Sequence, residues 1–259
     1  MGEVNLENPI LRARGVSKYF GKLKALDNVD LDIPRGAVTL LIGPNGSGKT
    51  TLVNVITGAL VADEGTIEFE GKDITRLPPH ERFKLGIVRS YQIPRLFPGL
   101  SVLENVLIGR DGNPGEGMVS GILKGLWEGY ETKATEDALE KLKFLGLLGE
   151  AEKKTSELSG GQLKLLEMAR STMSMSPKLI LLDEPTAGVI PSLAHEMLAL
   201  VKRMSVELGI TFLVVEHRLD IAVNYADYAY ALHLGAVVAK GMPKEVMSNP
   251  KLVEIYIGD

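Results

Sequence analysis

The sequence predicts an α/β fold built on a mainly parallel, doubly wound sheet, and three observations carry that expectation. Residues 39–42, 178–183 and 210–215 form short continuous apolar runs, the pattern of strands buried on both faces. Helical spacing of apolar residues follows them, at 52–56 and 192–208, so strands and helices alternate. Between the first strand and its helix stands Gly43-Pro44-Asn45-Gly46-Ser47-Gly48-Lys49-Thr50, which fits the phosphate-loop pattern G-x-x-x-x-G-K-[ST] in the strand–turn–helix context that motif needs.

The loop's chemistry follows from its residue types. Glycines without side-chain bulk let successive backbone N–H groups curl around a phosphate. The helix N-terminus behind them adds partial positive charge. Lys49 can reach the outer phosphates, and the hydroxyl of Thr50, followed by Thr51, can ligate a magnesium ion. The loop points to a bound nucleotide and leaves its use open.

The bulk composition narrows the classes. A chain of 259 residues can bury a full core, as one large domain or one with a helical annex. Apolar residues make up 45% and charged residues 24%, ordinary values for a globular protein. The formal charge of −4 argues against a sequence-independent nucleic-acid binder. The absence of cysteine excludes disulfides and thiolate metal sites. Residues 1–7 are acidic and polar and carry no signal-peptide pattern. No apolar run approaches membrane-spanning length, so a membrane role is expected to come through a partner.

Taken in order, residues 11–16 read as a first strand and 17–21, with Tyr19 and Phe20, as a turn. Residues 25–33 alternate as a half-exposed strand, 34–36 turn, and 65–72 alternate again into a turn. This strand-rich front predicts an antiparallel β subdomain. Residues 85–92 form a strand candidate that ends on Gln92. Residues 102–108 look helical, and 109–129 are Gly-rich and hold the only tryptophan, Trp127. Residues 132–148 form an amphipathic helix with Ala134, Ala138, Leu142 and Leu145 on one side. Residues 228–234 and 236–240 read as a hairpin around Gly235, and two short helical pieces close the chain. We therefore expect a single domain over 1–259, with a core from 1–92 and 176–259 and a helical subdomain over about 93–175.

Beyond the loop, Asp183 and Glu184 end a buried strand on the edge where phosphates are expected. Phosphoryl transfer needs one carboxylate to hold magnesium and gains from a second that polarises water; Asp183 suits the first role and Glu184 the second. A second anion-binding turn, Leu158-Ser159-Gly160-Gly161-Gln162, precedes a helical pattern with Ser159 as its N-cap.

That Leu-Ser-Gly-Gly-Gln stretch together with the phosphate loop resembles the ATP-binding cassette (ABC) family, and the resemblance covers nearly the whole chain. It implies a P-loop nucleotide-hydrolase core and an ATPase that uses ATP and Mg2+. Gln92 then matches the family's glutamine loop, with a part in magnesium and water binding. Phe20 matches the aromatic that stacks on adenine, in preference to Tyr19. His217 resembles the switch histidine that contacts the γ-phosphate. It is read as the one histidine of four at the end of a buried apolar run, His80, His195 and His233 lacking that context. Lys49, Glu184 and His217 are thus the expected catalytic set. The resemblance also implies a head-to-tail pair of subunits, homodimer or paralogue, in which Ser159 to Gln162 of one copy cap the nucleotide on the loop of the other. Integral membrane permeases, and indirectly a substrate-binding protein, would place the pair at the cytoplasmic face of the membrane.

Residues 89–97, 216–220 and 253–259 resemble the ATPase subunits of branched-chain amino acid uptake systems, and a lipopolysaccharide-export ATPase is the alternative. Soluble cassette proteins of translation or repair usually carry two cassettes or long coiled-coil arms, which this chain lacks. One departure stands out: in Ala187-Gly188-Val189-Ile190-Pro191, isoleucine occupies the position where most cassettes carry an aspartate.

Overall fold

The structure, a computed structural model, describes residues 6–90, 95–110, 128–174 and 176–258. The chain opens with β1 (Pro9–Phe20) and β2 (Leu23–Pro34), a long antiparallel pair. The stretch expected to turn at 17–21 is instead strand as far as Phe20, because Lys18, Tyr19 and Phe20 still pair with Leu26, Lys24 and Leu23. Adjacent aromatics favour the extended chain, and the reversal waits for Gly21 at φ +60°.

β3 (Val38–Ile42) is buried throughout and runs into α1 (Lys49–Ile56). β4 (Glu64–Phe69) and β5 (Lys72–Asp73) complete a four-stranded antiparallel sheet in the order β2-β1-β4-β5. A short helix that the sequence reading did not find, α2 (Pro79–Lys84), precedes β6 (Ile87–Arg89).

After β6 come α3 (Val102–Leu107), α4 (Glu128–Phe144) and α5 (Gly160–Ser171). The amphipathic helix starts four residues earlier than its pattern indicates and stops at Phe144, with Gly146 at φ +72° just beyond. The Gly-rich stretch and Trp127 lie outside the described residues.

The chain then returns through β7 (Leu179–Asp183), α6 (Pro191–Leu208), β8 (Thr211–Val215), α7 (Leu219–Ala222), β9 (Tyr228–His233), β10 (Ala236–Gly241), α8 (Pro243–Met247) and α9 (Pro250–Gly258). The larger sheet has the order β10-β9-β3-β8-β7-β6 and is parallel except at β10.

Two compact units result. One combines residues 1–92 and 178–259, the other is 93–177. In the first, a shared core joins the two sheets, with Leu11, Val29, Ile67 and Phe69 from one and Leu41, Leu181 and Leu213 from the other. Tyr230 of β9 fastens them, its hydroxyl donating to the Asp32 carbonyl at 3.0 Å and accepting from the Asp32 N–H at 2.9 Å. In the second, α3, α4 and α5 pack on one another, with Ala134, Ala138, Leu142 and Leu145 all buried.

One buried charge ties the first unit together locally. Arg82 of α2 is 1% exposed, and its guanidinium donates to four backbone carbonyls: Val55 and Ile56 at 2.7 Å, Leu77 at 2.9 Å and Thr75 at 3.0 Å. Two of these carbonyls close the C-terminal end of α1, where a positive charge meets the negative end of the helix dipole. Burial pulls the Arg82 pKa down to about 10, and Asp73 opposes that fall. Arg82→Met, which keeps much of the volume and removes every donor, is expected to lower stability by about 3 kcal/mol. The midpoint of urea unfolding measures this.

Candidate functional site

The residues of the phosphate loop leave the end of β3 under close backbone constraint. Gly43 has φ +151°, and a Cβ there would lie 2.2 Å from the Leu232 carbonyl oxygen. Gly48, the N-cap of α1, has φ +106°, and a Cβ would meet the Ala25 carbonyl at 2.7 Å. Neighbouring backbone thus demands glycine at both ends of the loop. No side chain caps α1, so the N–H groups of its first turn remain for an anion.

Residues 45–51 line a cleft of about 350 Å³ with Phe20, Leu23, Ala25, Glu184, His217 and Leu234. Gly43 and Pro44 act from behind it. Their carbonyls accept from the Lys49 ammonium at 2.7 and 2.8 Å, using two of its three donors. Burial lowers the Lys49 pKa, while the charges of Glu184 and Asp183 push it back up. Phe20 faces this cleft with Lys18 5.8 Å from its ring centre. Tyr19 is instead hydrogen-bonded to Glu64 at 3.2 Å.

Parallel pairing brings the carboxylates to the same edge. Asp183 ends β7 opposite Val215 of β8, and the Glu184 N–H donates to the Val215 carbonyl at 2.9 Å. Glu184 has φ +50°, an uncommon conformation for a side-chain-bearing residue. Its Oε1 lies 3.0 Å from Nε2 of His217, just beyond β8. Asp183 is ion-paired with Arg89 of β6 at 2.9 Å, and the same guanidinium reaches Oδ1 of Asn54, one turn after Thr50 on α1. The oxygen donors of Thr50 and Asp183 suit a hard cation such as magnesium. Gln92 lies outside the described residues.

In the helical unit, Ser159 caps α5. Its hydroxyl accepts from the Gln162 N–H at 3.3 Å, and the Gln162 side-chain oxygen accepts from the Ser159 N–H at 2.9 Å, a reciprocal capping box. About two turns beyond the cap, Glu167 is buried and pairs with Arg170 at 2.8 Å. Burial raises its pKa, while Arg170 and Arg95 lower it.

Several participants escaped the sequence reading. Arg89 and Glu216 are charged residues at the ends of buried strands, a signal applied only to Asp183, Glu184 and His217. Burial raises the pKa of Tyr256 in α9 while the Gly43 backbone lowers it, and nothing in the sequence indicates that the two are near. The sequence predicts no strand-end context for His233. It does end a buried strand, β9, whose residues from Tyr228 to Leu232 all face the core, and its Nδ1 is buried without a hydrogen-bond partner.

Comparison with known proteins places this geometry among relatives. A family model described as ABC transporter matches residues 26–187. A curated relative from Methanocaldococcus jannaschii, "Probable branched-chain amino acid transport ATP-binding protein LivG", is 49% identical over 254 residues, covering 96% of this chain and 98% of the relative. A crystal structure of the ADP conformation of an ATP-binding cassette from an ABC transporter is 48% identical, with a TM-score of 0.84, and 96% of this chain covers 99% of that one. A dimeric ATP-binding cassette in a post-hydrolysis state, bound to ADP and Pi, is 29% identical with a TM-score of 0.73, over 90% of this chain and 98% of that one.

Ile190 is the N-cap of α6, 67% exposed and without a side-chain hydrogen bond to the helix. Ile190→Asp would supply the missing acceptor and a negative charge at the helix N-terminus. We expect it to raise stability by about 1 kcal/mol, read as an upward shift of the thermal midpoint.

Proposed function

The chain belongs to the ABC transporter family, and on that premise we propose that it is the ATP-hydrolysing subunit of an importer of branched-chain amino acids. The observation that carries hydrolysis is the Glu184–His217 pair lining the same cleft as Lys49 and the loop. The substrate class rests on what the relatives' names say they transport.

ATP binds with its β- and γ-phosphates against the loop N–H groups and Lys49, and Phe20 stacks on the adenine. Glu184 polarises a water and takes its proton as that water attacks the γ-phosphorus. The bond to the β,γ-bridging oxygen breaks, giving ADP and phosphate. His217, oriented by Glu184, donates to a γ-phosphate oxygen. Thr50 and Asp183, with Gln92, would hold a magnesium ion, which supplies charge neutralisation for the phosphates.

We place Ser159 to Gln162 against the nucleotide of a second copy or paralogue, so that ATP favours a closed pair and hydrolysis releases it. Residues 93–175 serve as the helical subdomain. No helix among the described residues is long and apolar enough to cross a membrane. Permease subunits would therefore hold the pair at the cytoplasmic face and, with a substrate-binding protein, set specificity.

Lys49→Ala is expected to lose most ATP affinity; unchanged binding by calorimetry would overturn the loop assignment. Glu184→Gln should keep ATP binding, lose phosphate release by a factor of about 100 or more, and elute as a dimer in excess ATP. A monomer under those conditions contradicts the paired arrangement.

A further inference from the structure

Among the described residues the mechanism leaves two buried carboxylates, Glu167 and Glu216, without a task, and Glu216 adjoins the Glu184–His217 pair. Glu216, the first residue after β8, is 1% exposed. Its Oε1 accepts from the Thr186 N–H and the Thr186 hydroxyl, both at 2.7 Å. Its Oε2 accepts from the His217 N–H at 3.1 Å and the Arg218 N–H at 3.4 Å. Each oxygen thus serves one of two loops, the one after Glu184 and the one that starts with His217. Arg218 adds a parallel tie, its guanidinium donating to the Val189 carbonyl at 3.0 Å.

A buried carboxylate is costly unless every lone pair is used, and a backbone N–H is a demanding partner because it cannot swing to another acceptor. Glu216 therefore imposes geometry. Glu184 needs such support: it holds an unfavourable φ of +50° at a sharp turn, and its hydrogen bond to His217 spans the two loops. Thr186 is two residues beyond Glu184, and His217 is adjacent to Glu216, so both ends of the Glu184–His217 pair are anchored within two residues.

We infer that Glu216 is a positioning residue for hydrolysis: its carboxylate clamps the loop that carries Glu184 to the loop that carries His217. The inference rests on the hydrolytic reading of that pair. Glu216 does not line the cleft that holds the phosphate loop, so nucleotide binding should not depend on it.

The test uses the full chain as wild type, Glu216→Gln, Thr186→Val and the double variant. It measures phosphate release per nucleotide-competent site, KM for ATP, Kd for ATP by calorimetry, and thermal midpoints. Glutamine keeps the shape but offers an N–H where one of the loops needs an acceptor. We expect Glu216→Gln to lower kcat roughly ten- to a hundredfold with KM and Kd changed by no more than about twofold. Thr186→Val should show the same split with a smaller loss, and the double variant less than the product of the two. A purely structural residue would lower the midpoint and the fraction of competent sites while leaving kcat per site intact, and that result overturns the inference. So does a parallel change in kcat and Kd, or full additivity. If Glu216→Gln does not fold, unchanged kcat in Thr186→Val overturns it instead. A wild-type chain that releases no phosphate overturns the hydrolytic reading itself, and the positioning role with it.

Discussion

The register of three adjacent parallel strands sets the level at which each candidate group leaves the sheet. Leu41 of β3 lies opposite Val215 of β8, and Val215 lies opposite Asp183 of β7. The phosphate loop, the Asp183–Glu184 turn and the Glu216–His217 turn therefore emerge side by side. A one-residue slip in either pairing would move Asp183 or Glu216 along the strand and turn its side chain to the other face of the sheet. Burial on both faces makes such a slip expensive, because β3, β8 and most of β7 carry only buried residues. The chemistry depends on buried, mainly apolar packing that takes no part in it.

Much of this was legible because those strands announce themselves. Runs such as Leu179 to Leu182 and Phe212 to Val215 have few other readings, and the loop glycines mark where the first strand must turn. The elements that were missed or mis-bounded have local patterns that tertiary context overrides. Lys18 to Phe20 looks like a turn until β2 is there to pair with it. The six-residue α2 is too short for periodicity to declare. The site itself was legible through motifs and illegible through its supports. Lys49 and Glu184 stand in recognisable surroundings, but Arg89 meets Asn54 and Asp183, and Glu216 meets Thr186, across 30 or more residues that no spacing rule connects.

Those supports share a physical character. Arg82, Glu167 and Glu216 are all charged and almost fully buried, and each sits near an element that bears the motifs: the end of α1, the helix behind Ser159, and the turn before His217. Two of them are satisfied largely by backbone groups. Such groups add little net stability compared with well-packed apolar residues. What they confer is a single arrangement of the backbone they bind, since any other leaves a charge unpaired.

The strand order has a consequence for how the protein comes into being. β3 and the loop it carries are made early, yet both strands that flank β3 in the sheet, β8 and β9, come after residue 210. The emerging chain must therefore carry an apolar strand with two unpaired edges through most of its synthesis. Closing the sheet around it is a late, long-range event, slow by its topology. Throughout that interval the nascent chain is open to strand-pairing errors with its neighbours on the ribosome. The early antiparallel β1–β2–β4 sheet, whose strands are near in sequence, can form meanwhile and offer β3 an apolar face on which to wait.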